Sequence, residues 1–125
     1  MTASSESSPV FVGIDVAKSK LDLARSDQDK ILTVPNDAQS IARLIASLTD
    51  PPVAFIVIEA TGGLEQPLLD GLLDASLSVA RVNPFHVRHF AMGLGILAKT
   101  DAIDARVLVK FAQKAEVQLT QKRSK

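Results

Sequence analysis

The sequence predicts an α/β domain, a mixed sheet opened by three short antiparallel strands with helices packed on it. Three observations carry this. Near the N-terminus, short β-branched or alternating runs follow one another across polar turns. Further on, apolar strand-like runs take turns with segments of helical period. Asp50-Pro51-Pro52, Gly62-Gly63 and Asn83-Pro84 mark boundaries between these segments.

Taken in order, Val10–Val16 (VFVGIDV) is β-branched and mostly apolar and reads as a buried strand. Lys20–Ala24 alternates, with Leu21 and Leu23 on one side and Asp22 on the other. Ile31–Val34 is a third short strand, and the three suggest a meander. Asn36 or Asp37 can cap a helix whose apolar positions are Ile41, Leu44, Ile45 and Leu48, and Asp50-Pro51-Pro52 stops it. Val53–Ile58 is apolar throughout, as a central strand covered on both faces should be. Gly62-Gly63 breaks the chain before a helix through Leu68, Leu69, Leu72 and Leu73. Ser78–Val82 is a fifth strand, and Asn83-Pro84 opens a helix to about Gly93. Thr100 is placed to cap a last helix running to about Ala115. The order is βββαβαβα with one further helix.

Composition narrows the function. The chain has 125 residues and 46% hydrophobic content, enough for one compact domain with a core. No run of about 18 apolar residues occurs, so no membrane partner or span is expected. The first nine residues, MTASSESSP, lack the basic and apolar regions of a secretory signal and read as a disordered lead-in. The segment 116–125 reads as a patternless basic tail, leaving 10–115 as the domain. With no Cys, disulfides and thiolate metal sites are excluded, consistent with a cytoplasmic protein. Only two His disfavour zinc, so any metal would be held by oxygen. The net charge of zero conceals a split: residues 1–80 carry 5 Lys/Arg and 11 Asp/Glu, residues 81–125 carry 9 and 3. A basic second half hints at nucleic acid.

Four carboxylates stand out. Asp15 and Glu59 sit near the C-terminal ends of two predicted buried strands, where ligand sites of open α/β sheets gather. Burying an unpaired carboxylate there is costly unless a cation compensates. The plainer alternative is that each emerges into solvent where its strand ends. On an ideal helix starting at Asp101, Asp104 falls at about 300°, with Leu108 at about 340° and Phe111 at about 280°. Both acids then share the apolar stripe, while Arg106, Lys110 and Lys114 take the opposite face. Here too a plainer alternative stands, that the acids only favour a helix start. Four converging carboxylates would bind Mg²⁺ or Mn²⁺, and two such ions suit phosphodiester cleavage. Arg88, Lys99, Arg106, Lys110 and Lys114 are the candidate phosphate contacts, although outward Lys and Arg are ordinary on amphipathic helices.

The blocks GIDVAKSKLDLA (Gly13–Ala24), EATGG (Glu59–Gly63), VNPFHVRHFA (Val82–Ala91) and LAKTDAIDARVLVKFA (Leu97–Ala112) resemble the DEDD transposases. These are RuvC-like insertion-sequence enzymes related to the pilin-gene invertase, and the resemblance spans roughly residues 10–115. It implies an RNase H-like (RuvC-like) fold and makes Asp15, Glu59, Asp101 and Asp104 the metal-binding tetrad. It also implies DNA as partner, homo-oligomers of the full-length enzyme and, for some members, a structured guide RNA. The family's second domain, which bears a serine nucleophile, is not expected within this chain, which then reads as truncated. Two other readings remain: an actin-like sugar kinase or ATPase fragment, which also opens with a strand like GIDVAKSK, and an inactive nucleic-acid-binding or interfering fragment.

Overall fold

The computed structural model describes residues 9–115 and 117–120. All of the Ser-rich lead-in but Pro9, and most of the basic tail, lie outside them. The elements are β1 (Phe11–Val16), β2 (Lys20–Arg25), β3 (Leu32–Pro35), α1 (Ala38–Thr49), β4 (Phe55–Glu59), α2 (Gln66–Asp74), β5 (Val79–Val82), α3 (Pro84–Gly93) and α4 (Ala105–Lys114). Their order is the one the sequence predicts. The sheet runs β3-β2-β1-β4-β5. β1 pairs antiparallel with β2 and parallel with β4, and β4 is parallel to β5.

Strand alternation sorts the core into two layers. Val12, Ile14 and Val16 of β1 face the same way as Leu21, Leu23, Ile56 and Ile58, against Ile41, Leu44 and Leu48 of α1 and Leu68, Leu69 and Leu72 of α2. Val57, Ala80 and Val82 face the other way, against Val87 of α3 and Leu108, Phe111 and Ala112 of α4. Phe90 meets Phe111 edge-on at 5.2 Å, which locks α3 to α4. Both layers are apolar and β4 lies between β1 and β5, so it is a central strand, as its unbroken apolar run requires. The Asp37 side chain caps α1 by accepting from the Ser40 N–H at 2.8 Å, and Asn83 caps α3 through Phe85.

Gly13 sets how closely α4 lies on the sheet. A Cβ there would sit 2.5 Å from the Ala105 carbonyl oxygen, 2.6 Å from Leu108 Cβ and 2.8 Å from the Val109 nitrogen. Helix backbone therefore rests directly on strand backbone, with no room for a side chain between them.

The last helix departs from expectation: it starts at Ala105, not after Thr100. Asp104 is its N-cap, with its side chain accepting from the Val107 N–H at 3.1 Å. Asp101 closes a separate turn, its carboxylate accepting from the Ala98 N–H and its own N–H bonding the Ala98 carbonyl. Short Asp side chains offer the backbone such local bonds in competition with helix, and two of them stop α4 from extending backwards. Asp101 is thus on a loop, and the helical-wheel relation between the two acids does not hold. The limits of all five strands also differ from expectation by one or two residues at one end or both. The tail's start has more order than its sequence suggests, since Thr120 bonds Val79 and Arg81 on the outer edge of β5.

Candidate active site

The register of β1 with β4 runs from Phe11 opposite Phe55 to Ile14 opposite Ile58. One step further brings Asp15 beside Glu59. Both lie on the α4 side of the sheet, because they continue the alternation of Gly13 and Val57. Their side chains are near enough to hydrogen-bond when one of them is protonated, and both are half-buried. Burial first, and then the Asp15 charge and hydrogen bond, push the Glu59 carboxyl up from its ordinary 4.5 to about 7. Arg88 opposes it weakly. The Asp15 carboxyl is raised as well, by burial first and then by Asp22 and Asp104, while Glu59 and Lys20 pull the other way. Below about pH 7 the pair therefore favours keeping one proton between its two carboxyls.

The other two predicted acids are placed differently. Asp104 is close enough to Asp15 for their charges to interact, but its carboxylate is occupied in capping α4. Asp101 is turned back onto Ala98. Among the described residues no group of three or more His, Cys, Asp or Glu converges closely enough to hold a metal ion. The structure brings two of the four carboxylates into contact, keeps a third within electrostatic reach and leaves the fourth in its own turn.

The sequence does not single out two neighbours of this pair in these roles. Asp22 lies directly across from Asp15 in the β1–β2 ladder, on the same face. A like charge in that position is unfavourable; Thr33 Oγ1 at 2.7 Å and Lys20 Nζ at 4.0 Å offset it. The alternation Leu21-Asp22-Leu23 signals a polar face, but only the register reveals that this face carries Asp15. Arg88, predicted as a phosphate contact, is half-buried and donates from Nη1 to the carbonyls of Lys99 at 3.1 Å and Asp101 at 2.8 Å. It acts on Glu59 electrostatically too, so one guanidinium links Glu59 to the loop that carries Asp101.

Of the remaining basic candidates, Lys99, Lys110 and Lys114 are exposed, and Arg106 donates from Nη2 to the Asp29 carbonyl at 2.6 Å. Arg106 and Lys110 border a cleft of about 420 Å³ between the end of β2 and α4, with Arg25, Gln28, Asp29 and Gln113. None of the paired carboxylates lines it. No helix among the described residues is long and apolar enough to cross a membrane.

A transposase family model of the DEDD type matches residues 12–125. Pilin gene-inverting proteins of Moraxella lacunata and Moraxella bovis are 29% and 30% identical over 123 and 124 residues. Each alignment takes in 94% of this chain and 38% of the relative, so the chain spans well under half of those curated relatives. Two structures of Thermus thermophilus RuvC, one in complex with a Holliday junction substrate, are similar with a TM-score of 0.59 and 15% identity. They cover 89% of this chain and 99% of the RuvC chain. At that identity the likeness is one of fold, and the fold is the RNase H-like, RuvC-like α/β sheet that the sequence predicts.

Proposed function

Since the chain belongs to the DEDD transposase family, we propose that it is a nuclease-type domain that cuts DNA phosphodiester bonds with a divalent cation held at Asp15 and Glu59. The observation that carries this reading is the carboxylate pair itself. Two half-buried acids stand side by side at the ends of adjacent parallel strands, where a hard cation would neutralise the charge they bring together. The donors are all oxygen, which suits Mg²⁺ or Mn²⁺. Asp104 would join the pair, and Asp101 also, once its carboxylate leaves the Ala98 amide. When bound, such an ion supplies Lewis-acid stabilisation of the charge that develops on a cleaved phosphodiester.

The chain's own residues supply the rest. The N-terminal end of α4 begins at Asp104, and its dipole favours negative charge there. Arg88 holds the Lys99–Asp101 loop against the Glu59 side of the site. The exposed cations of α4 and Lys99 give the phosphate backbone contacts that carry no sequence information. Membership of the transposase family leaves the sugar-kinase alternative without support. Strand joining is assigned, on the resemblance, to the family's serine-bearing domain, and a structured guide RNA and oligomers belong to the whole protein.

A Holliday junction, the substrate in one RuvC structure, is a suitable probe. Gel-shift titrations across salt are expected to show weak binding that falls as salt rises. Replacing Lys110 and Lys114 with Glu should lower the salt slope by roughly 2, at about 0.9 for each phosphate no longer neutralised. Nicking of the junction in Mn²⁺, absent in chelator, is the matching activity. Binding without any nicking would instead favour the inactive-fragment reading.

A further inference from the structure

Glu65 is the one buried charged side chain among the described residues, at 3% exposure. Removing a carboxylate from water is strongly unfavourable unless donors replace the lost hydration. Here they do. Oε1 accepts from the Thr61 N–H at 3.0 Å, the Thr61 hydroxyl at 3.1 Å and the Gly63 N–H at 3.2 Å. Oε2 accepts from Arg81 Nη1 at 3.3 Å, and the same Nη1 reaches Gln66 Oε1 at 3.2 Å. Burial pushes the Glu65 carboxyl up, but the Thr61 and Gly63 bonds outweigh it and hold it below its ordinary range.

A buried ion pair is often no more stabilising than apolar side chains of the same volume. What a Leu at this position could not supply is three hydrogen bonds to one short segment of chain. That segment leaves β4 immediately after Glu59. The Ala60 N–H bonds Val82 and ends the sheet, and the next residue is already in the grip of Glu65. Gly62 and Gly63, at φ 73° and 106°, give the reversal that aims the Thr61 and Gly63 amides at a single oxygen. Arg81 then ties this loop and the start of α2 to β5.

We propose that Glu65, braced by Arg81, is a positioning residue for Glu59: it fixes the backbone on the far side of the Glu59 strand end and so holds that carboxylate against Asp15. This rests on the reading of the Asp15–Glu59 pair as a cation site. It is a role through the backbone, without contact to substrate.

Three variants of the full chain separate positioning from mere packing. Glu65→Gln keeps an acceptor for the three donors and gives up the ion pair. Glu65→Ala removes every bond, and Thr61→Val removes the hydroxyl bond alone while keeping the volume. Two measurements apply: amide hydrogen exchange at Thr61 and Gly63 without metal, and the Mn²⁺ dissociation constant below the melting temperature. Glu65→Ala is expected to weaken Mn²⁺ binding about tenfold, in the range of residues that orient metal ligands, and to speed exchange at both amides. Glu65→Gln should stay within about twofold of wild type, and Thr61→Val should lose about threefold, one modest hydrogen bond. Wild-type Mn²⁺ affinity in Glu65→Ala, whatever its melting temperature, overturns the positioning role. If Glu65→Ala does not fold, wild-type affinity and exchange in Thr61→Val overturn it equally. A wild-type chain that binds no Mn²⁺ is a different failure: it removes the cation site, and this proposal with it.

Discussion

Replacing Glu59 with Gln is expected to abolish metal-dependent nicking and, above about pH 7, to raise the melting temperature of the metal-free chain. The two effects have one cause. In the folded chain without metal, Glu59 is held up to about 7, largely by burial and by Asp15, against 4.5 for the ordinary side chain. Ionising it at higher pH sets two half-buried carboxylates against each other. A Gln amide reproduces the protonated form, donating to Asp15 without charge, so the repulsion is gone. The same neutrality removes a ligand. A cation's charge stabilisation is worth several kcal/mol, and at roughly 1.4 kcal/mol per tenfold its loss costs about 10³ in rate or more. The checks are a thermal melt at pH 8 in chelator and a junction-nicking rate in Mn²⁺. A variant that nicks at the wild-type rate would show that Glu59 holds nothing the reaction needs.

Gly13→Ala is expected to be the most destabilising single-methyl change in the domain. The added Cβ would meet the Ala105 oxygen, Leu108 Cβ and the Val109 nitrogen, all at 2.8 Å or less. Two of these are helix backbone and cannot swing aside like the end of a flexible side chain. The helix must lift from the sheet, at a cost near the upper end for overpacking, about 3 kcal/mol, or roughly 10 °C in melting temperature. Lifting α4 also carries its cap, Asp104, away from Asp15, so Mn²⁺ affinity should fall in whatever remains folded. Gly93→Ala is the control, because nothing lies within 4 Å of its added Cβ and Ala favours helix. If Gly13→Ala melts with the wild type, α4 does not rest on β1 as described.

Features encoded locally are legible in the sequence. The meander, the central β4 run, the Asp37 cap and the Asn83-Pro84 start of α3 each rest on a few neighbouring residues, and the structure has all of them. What stays hidden is set by register or by competition between similar signals. Thr100, Asp101 and Asp104 are all capping residues, and only the choice of Asp104 decides that Asp101 sits in a loop. Strand pairing puts Asp22 across from Asp15, which no window along the chain can show. Glu65 reads as an ordinary acid near a helix start, and its burial depends on Arg81 of a strand 16 residues away. The pair at the heart of the site is foreseeable, since two strand-end acids on parallel neighbours need only the topology to meet. Arg88, expected to contact phosphate, donates from Nη1 to the chain's own carbonyls, a partnership no window along the chain reveals.

The most direct measurement is the melting temperature of this chain at pH 5 and pH 8, in chelator and in millimolar Mn²⁺. A raised folded pKa means that the metal-free folded state keeps a proton which the unfolded state gives up. That stability is full below about 4.5 and is lost as pH rises through about 7. The acids held below their ordinary range, Asp27, Asp37 and Glu65, act only at lower pH and leave this window alone. In chelator the midpoint should therefore be higher at pH 5 than at pH 8. Mn²⁺ should raise it at pH 8, by about 2.7 kcal/mol of stability at a hundredfold excess over the dissociation constant, and hardly at all at pH 5, where protons compete. Midpoints at pH 8 that are the same with and without Mn²⁺ would contradict a cation site at Asp15 and Glu59.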